Sequence, residues 1–340
     1  MFGKRILMAK AGAEGSRKRT VKEREKYIMS LVNQMTLDEK IGMIHGAGLF
    51  RTAAVPRLGI PELHMSDGPM GVRQEFVDND WKNVYDSDDT VTYLPSNSAI
   101  AATWNPKRAK ECGEVLGTEA RGRGKDVILA PGINIKRTPL CGRNFEYMSE
   151  DPYLVSEMTV PLIKGIQKAD VAACVKHFAA YGAPQAGREY HAVDMSERVF
   201  RDSYLPPYRA ALDAGAATVM TSFNDLDGVP ATANRWLLRD LLRDELGFGG
   251  FVVTDYGTIG ELKAHGVAAD DRQAAELALR AGVNMDMMSA AYLFHAAELV
   301  REGRIPESLI DSLCCEVLAV KFRLGLFDDP FRCQVKERER

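Results

Sequence analysis

The sequence predicts a parallel α/β domain closed as a (β/α) barrel, and three observations carry that expectation. First, from residue 60 onward short apolar runs alternate with amphipathic helical stretches, as in a parallel sheet with helical crossovers. Second, nearly every run ends in a polar or charged residue, whereas a doubly wound sheet gathers such residues at one switch point. Third, neither a GxGxxG nor a GxxxxGK[ST] phosphate loop occurs, which argues against a nucleotide fold. The clearest unit is Gly250-Phe251-Val252-Val253-Thr254-Asp255-Tyr256-Gly257. It reads as a strand buried on both faces that delivers one carboxylate to its carboxyl end.

Taken in order, residues 1–20 carry Lys4, Arg5, Lys10, Arg17, Lys18 and Arg19 without a secretory apolar core, and read as a disordered basic leader. Residues 21–44 read as a helix interrupted near Met35, where Thr36 followed by Glu39 forms a capping-box signature. Seven strand candidates follow. They are 63–67, 99–104, 126–131, 172–177, 217–223, 251–255 and 283–287. Leu309, Leu313, Val317, Val320 and Leu324 repeat at helical spacing, and Gly325 can end that last helix. The barrel is therefore expected over 21–330, with a charged tail at 331–340 and no second domain.

Composition excludes several classes. Hydrophobic residues at 46% and charged residues at 27% are ordinary for a globular protein, and the formal net charge of −3 gives no footprint for nucleic acid. No apolar stretch is long enough to span a bilayer. Six cysteines, including adjacent Cys314 and Cys315, form no CxxC pair and no metal spacing, so they read as free thiols in a reducing cytoplasm. His64, Asp67 and His177 lack the spacing of a zinc site, and no metal or cofactor is expected. His265 and His295 read as connecting residues without a role.

The strand ends bring together Asp67, Arg143, Lys176, His177, Ser222-Phe223-Asn224 and Asp255. Such a cluster suits a monosaccharide, whose hydroxyls are well held by charge-assisted hydrogen bonds. A strand-end Asp also serves as a helix cap, and the surrounding polar cluster shifts the balance toward Asp255 as a nucleophile or base. Lys176 and Arg143 would favour its ionised form. Phe223 and Tyr256 offer rings, with Tyr256 expected exposed and Trp104 expected in the core.

Several separate motifs then coincide: Met65-Ser66-Asp67-Gly68-Pro69-Met70-Gly71-Val72-Arg73, Gly142-Arg143-Asn144-Phe145-Glu146, Lys176-His177-Phe178-Ala179-Ala180-Tyr181-Gly182, Gly187-Arg188 and the Gly250–Gly257 stretch. In this order they resemble the amino-terminal barrel of glycoside hydrolase family 3, of the β-glucosidase and β-xylosidase type. The resemblance implies a TIM-type barrel or a variant of it, without the second α/β sandwich domain of the family. It also implies Asp255 as catalytic nucleophile, and Asp67, Arg73, Arg143, Lys176, His177 and Arg188 as sugar-binding residues. Phe223 stands where many relatives carry Tyr, and Tyr256 where many carry Trp.

The implied reaction is retaining hydrolysis of a terminal β-glucosyl or β-xylosyl residue, which needs a second carboxyl as acid and base. In β-glucosidase-type relatives that Glu lies in the second domain, so a truncated form, a homodimer or a complementing chain is expected. One alternative is a self-sufficient barrel like the family's single-domain β-N-acetylhexosaminidases, with Glu189, His191 or Glu197 substituting for the absent catalytic loop. The other is a non-catalytic carbohydrate-binding barrel.

Overall fold

Two capped helices lead the described residues, and both start signals lie in the sequence. The structure is a computed structural model that describes residues 20–74, 80, 82 and 91–329. The 331–340 tail and residues 1–19 of the leader fall outside that range. Thr20 caps α1 (Val21–Val32) through a capping box with Glu23, and Thr36 caps α2 (Leu37–Met43) through one with Glu39. The predicted interruption near Met35 is present.

A sheet of seven strands follows. β1 (Gly46–Gly48) and β2 (Arg51–Thr52) pair antiparallel, and β2 pairs antiparallel with β3 (Leu63–Asp67). Parallel ladders then join β3 to β4 (Val127–Leu129), β4 to β5 (Ala172–Phe178), β5 to β6 (Thr218–Thr221) and β6 to β9 (Phe251–Val253). Every residue of β4, β5, β6 and β9 is buried, the pattern expected of parallel strands covered on both faces. A small hairpin, β7 (Asp225–Leu226) and β8 (Val229–Pro230), stands apart from the sheet.

The sheet curls round on itself. Val253 bridges Met285 and Asp286 bridges His45, both parallel, with Gly46 N–H donating to the Asp286 carbonyl at 2.8 Å. The architecture is thus a variant of the (β/α) barrel in which one short strand runs backward. The sequence reading missed β1 and β2 because segments of two or three residues are too short to carry an apolar period. The 283–287 candidate contributes only isolated bridges at 285 and 286.

The 99–104 candidate is a correction. It belongs to α3 (Asn97–Ala102), where Ser96 caps the helix by accepting from Ala99 N–H. Alanine-rich runs favour helix once a cap precedes them, and a short apolar run cannot be assigned by period alone. Trp104, expected in the core, lies just beyond that helix with 71% of its surface exposed.

At the amino-terminal end of the sheet Arg121, on α4 (Pro106–Gly122), pairs with Asp126 at 3.0 Å. Asp126 also accepts from His64 N–H at 2.8 Å. Both side chains are buried, and the pair ties a crossover helix to β3 and β4 below the strand ends. Two further long helices are α5 (Pro152–Gln167), which packs on β5, and α6 (Glu307–Arg323), the latter as its spacing predicts.

Candidate active site

The carboxyl ends of the parallel strands converge on one polar cluster. Asp67 is the last residue of β3, Lys176 and His177 lie near the end of β5, and Asp255 stands two residues beyond β9. Consecutive residues of a regular strand face opposite ways. The register of β5 against β6 shifts between Val175 and Phe178, and both Lys176 and His177 meet the cluster.

Lys176 Nζ lies 3.0 Å from Asp67 Oδ1 and 3.8 Å from Glu146 Oε2. Burial opposes its charge, yet the carboxylates of Asp67, Glu146 and Asp255 hold the ammonium above the usual lysine range. Burial likewise works against the Asp67 carboxylate, and Lys176 with Arg73 outweighs it, so Asp67 stays below its ordinary value. Arg73 Nη1 reaches Asp67 at 3.3 Å from a half-exposed position. Arg143 Nε donates to Glu146, its guanidinium lies 5.4 Å from the Tyr181 ring centre, and Nη2 lies 3.1 Å from His177 Nε2.

His177 is wholly buried, with Nε2 3.2 Å from Asp255 Oδ2. Burial, with Arg143 and Lys176 close by, keeps the ring well below the usual histidine range and therefore neutral. Its single proton donates to Asp255 when it sits on Nε2; on Nδ1 it leaves Nε2 free to accept from Arg143. Asp255 also accepts from the Tyr256 backbone N–H at 2.7 Å.

The cations act on Asp255 in the expected direction, but burial is the larger effect. Its carboxyl is pushed up to about 6, against the pull of Lys176 and Arg143. It remains mostly ionised at neutral pH.

The other expected residues differ in exposure. Phe223 is buried in a small cluster with Cys141, Tyr147 and Tyr181, and its ring centre is 4.4 Å from that of Tyr190. Tyr256 is half-buried rather than exposed. Arg188 is exposed, following the Gln185–Gly187 turn, and has no ion pair among the described residues.

Sequence reasoning gave no role to four further groups. Glu146, only 2% exposed, touches both Arg143 and Lys176. Its position three residues after Arg143 in a short turn was the available signal. Glu261, on the turn after Asp255, has a buried Oε2 without a partner among the described residues; burial and the Asp255 charge push it up to about 7. The Tyr181 hydroxyl donates to Glu189 at 3.2 Å, and His265, expected to be idle, places Nε2 2.9 Å from the Phe223 carbonyl. No grouping able to hold a metal occurs among the described residues.

Beta-glucosidase BoGH3A of Bacteroides ovatus is 40% identical over 309 residues, covering 89% of this chain and 41% of the relative. A beta-xylosidase of Formosa agariphila is 36% identical over 325 residues, covering 90% and 43%. Among solved structures, the beta-glucosidase from Listeria innocua in complex with glucose superposes with a TM-score of 0.81 at 32% identity. That match covers 92% of this chain and 49% of that one. A D270A mutant of the Listeria enzyme in complex with laminaribiose superposes with a TM-score of 0.80. The chain spans less than half the length of the curated relatives it matches. Residues 64–320 match the Glycosyl hydrolase family 3 N terminal domain, and the chain belongs to that family.

Proposed function

We propose that this chain carries the nucleophile and the principal sugar pocket of a retaining β-glucosidase, with β-xylosides as the neighbouring substrate class. The observation that carries this reading is the buried Asp255 carboxylate at a strand end, set against His177 and within the field of Lys176 and Arg143. Asp67, Arg73, Arg143, Lys176 and His177 bind the hydroxyls of the terminal sugar, and Arg188, Phe223 and Tyr256 shape the rim. Asp255 attacks the anomeric carbon, and the bond to the leaving oxygen breaks with its electron pair going to that oxygen. Water then attacks the same carbon and releases Asp255.

A proton must reach the leaving oxygen, and a second carboxyl about 5 Å from the nucleophile is the usual source in retaining enzymes. We assign that carboxyl to a segment or chain that complements residues 20–329, in keeping with the greater length of the relatives. A further segment of the same polypeptide, a second copy and a separate complementing chain are the forms this can take.

The test is incubation with 2,4-dinitrophenyl 2-deoxy-2-fluoro-β-glucoside, followed by intact mass and peptide mapping. Dinitrophenolate leaves without a proton, so the experiment reads the nucleophile independently of any acid. One glycosyl adduct on Asp255 is expected. An adduct elsewhere, or none from a protein that still binds the sugar, removes the nucleophile assignment.

A further inference from the structure

We propose that a cleft on the outer side of the Arg188 loop is a second carbohydrate-binding site, separate from the pocket around Asp255. The cleft measures about 550 Å3, within the range that takes small ligands, and its walls come from three segments. Arg137 and Thr138 follow β4, Gln185 to Gly187 form the turn that leads into Arg188, and Asp194 to Ser196 precede the helical stretch that holds Tyr204.

Three polar heads in it are left without protein partners. Tyr204 is 4% exposed, yet its hydroxyl makes no hydrogen bond among the described residues and the residue lines the cleft. The Tyr204 oxygen is not among the fully buried polar atoms left without a partner, so it opens onto the cleft and is available to a ligand. The Arg137 guanidinium and the Asp194 carboxylate also make no ion pair or side-chain hydrogen bond among the described residues. Tyr204 and Arg137 line the same cleft, and while burial pushes the Tyr204 hydroxyl up, Arg137 pulls it back.

The chemistry selects the ligand class. One cation and one carboxylate leave the cleft without net charge, which suits neither a phosphate nor a metal ion. A purely apolar ligand would strip both charges of water without replacing their hydrogen bonds. A neutral polyol replaces them: its hydroxyls accept from Arg137 and Tyr204 and donate to Asp194. Pro184, Met195 and Val199 supply apolar wall for the carbon face of a ring. The choice of a sugar over other polyols rests on the glycosidic reading of the neighbouring mouth. The shared turn gives such a ligand a direct contact with the backbone that places Arg188.

Calorimetric titration with cellobiose tests this on three proteins: the unaltered chain, Asp67→Asn, and Asp67→Asn combined with Tyr204→Phe. Tyr204→Phe removes one oxygen that no protein group uses, so folding is preserved. Asp67→Asn is expected to retain a binding event, and the added Tyr204→Phe to weaken it about three- to tenfold, the worth of one hydrogen bond. Arg137→Met in place of Tyr204→Phe should weaken it as well. No binding to Asp67→Asn, or binding indifferent to both cleft substitutions, overturns the second site. Formation or failure of the Asp255 adduct bears only on the mouth, so the two readings fall separately.

Discussion

Asp255 keeps its charge at neutral pH against burial, and pH is therefore the sharpest probe of the site at the scale of residues. An attacking carboxylate must be ionised, and its ordinary value is raised to about 6. Adduct formation should then be near its plateau at pH 7.5 and fall to about a tenth of it at pH 5, following the ionised fraction. Glu146 tunes this balance. It sits against both cations that pull Asp255 down, and part of their charge is spent on it. Glu146→Gln keeps the shape and removes that charge, so Lys176 and Arg143 act more strongly on Asp255. The acid limb should move to lower pH by about one unit, while stability falls because two buried cations lose a partner. An acid limb that stays in place, with stability lost all the same, would make Glu146 a purely structural residue.

At the scale of elements, the crossover helices behind the sheet meet at backbone contact. A Cβ built at Gly117 on α4 would stand 2.3 Å from the Ile166 carbonyl oxygen on α5, and one at Gly113 equally close to that of Leu162. Gly117→Ala gains about 1 kcal/mol of helix propensity. It must also push apart two packed backbones, and neither can rotate out of the way. The net expectation is a loss of about 2 kcal/mol, read as a lower denaturant midpoint with an unchanged slope. An unchanged midpoint would mean that the helices separate freely. Little of this contact shows in the sequence, where glycine in a helix reads as a weakness rather than a contact. The parallel strands were legible because burial on both faces forces continuous apolar runs, and the capped helices because Thr36 and Glu39 are a local signature. The polar strand ends were legible for the same reason, which is why Asp67, Lys176, His177 and Asp255 could be brought together before any coordinates. What stayed hidden depends on distant partners: the backward β2 and the neighbours that make Glu146 and Glu261 part of the site, whereas the helical 97–102 segment carried a local cap that a short apolar run obscured.

Closure of the barrel belongs to the whole molecule, since its two edges lie some 240 positions apart in the numbering and meet at Asp286, whose N–H donates to the Ile44 carbonyl at 3.0 Å and whose carbonyl accepts from Gly46 N–H at 2.8 Å. So few backbone bonds make a weak seam, and the chain ends reinforce it from outside. α1 and α2 pack on α6: Tyr27 meets Phe322 with ring centres 5.7 Å apart, Phe322 meets Phe327 at 5.0 Å, and Lys40 bridges Glu307 and Asp311 at 2.7 and 2.6 Å. α2 runs almost directly into His45, so loosening this clasp should release the seam before it disturbs the middle of the sheet. Phe322→Ala, at a 4% exposed position, is expected to cost about 3–5 kcal/mol. Native-state hydrogen exchange gives the decisive reading. The amides of Gly46 and Asp286 should speed up more than those of Cys174 and Val219, which lie in the parallel ladders. Equal acceleration at all four would mean that the barrel opens as one unit and that the clasp stabilises it globally. A selective rise at Gly46 and Asp286 would establish the seam as the place where the barrel first opens, with the strand ends that carry Asp67, Lys176 and Asp255 held until global unfolding.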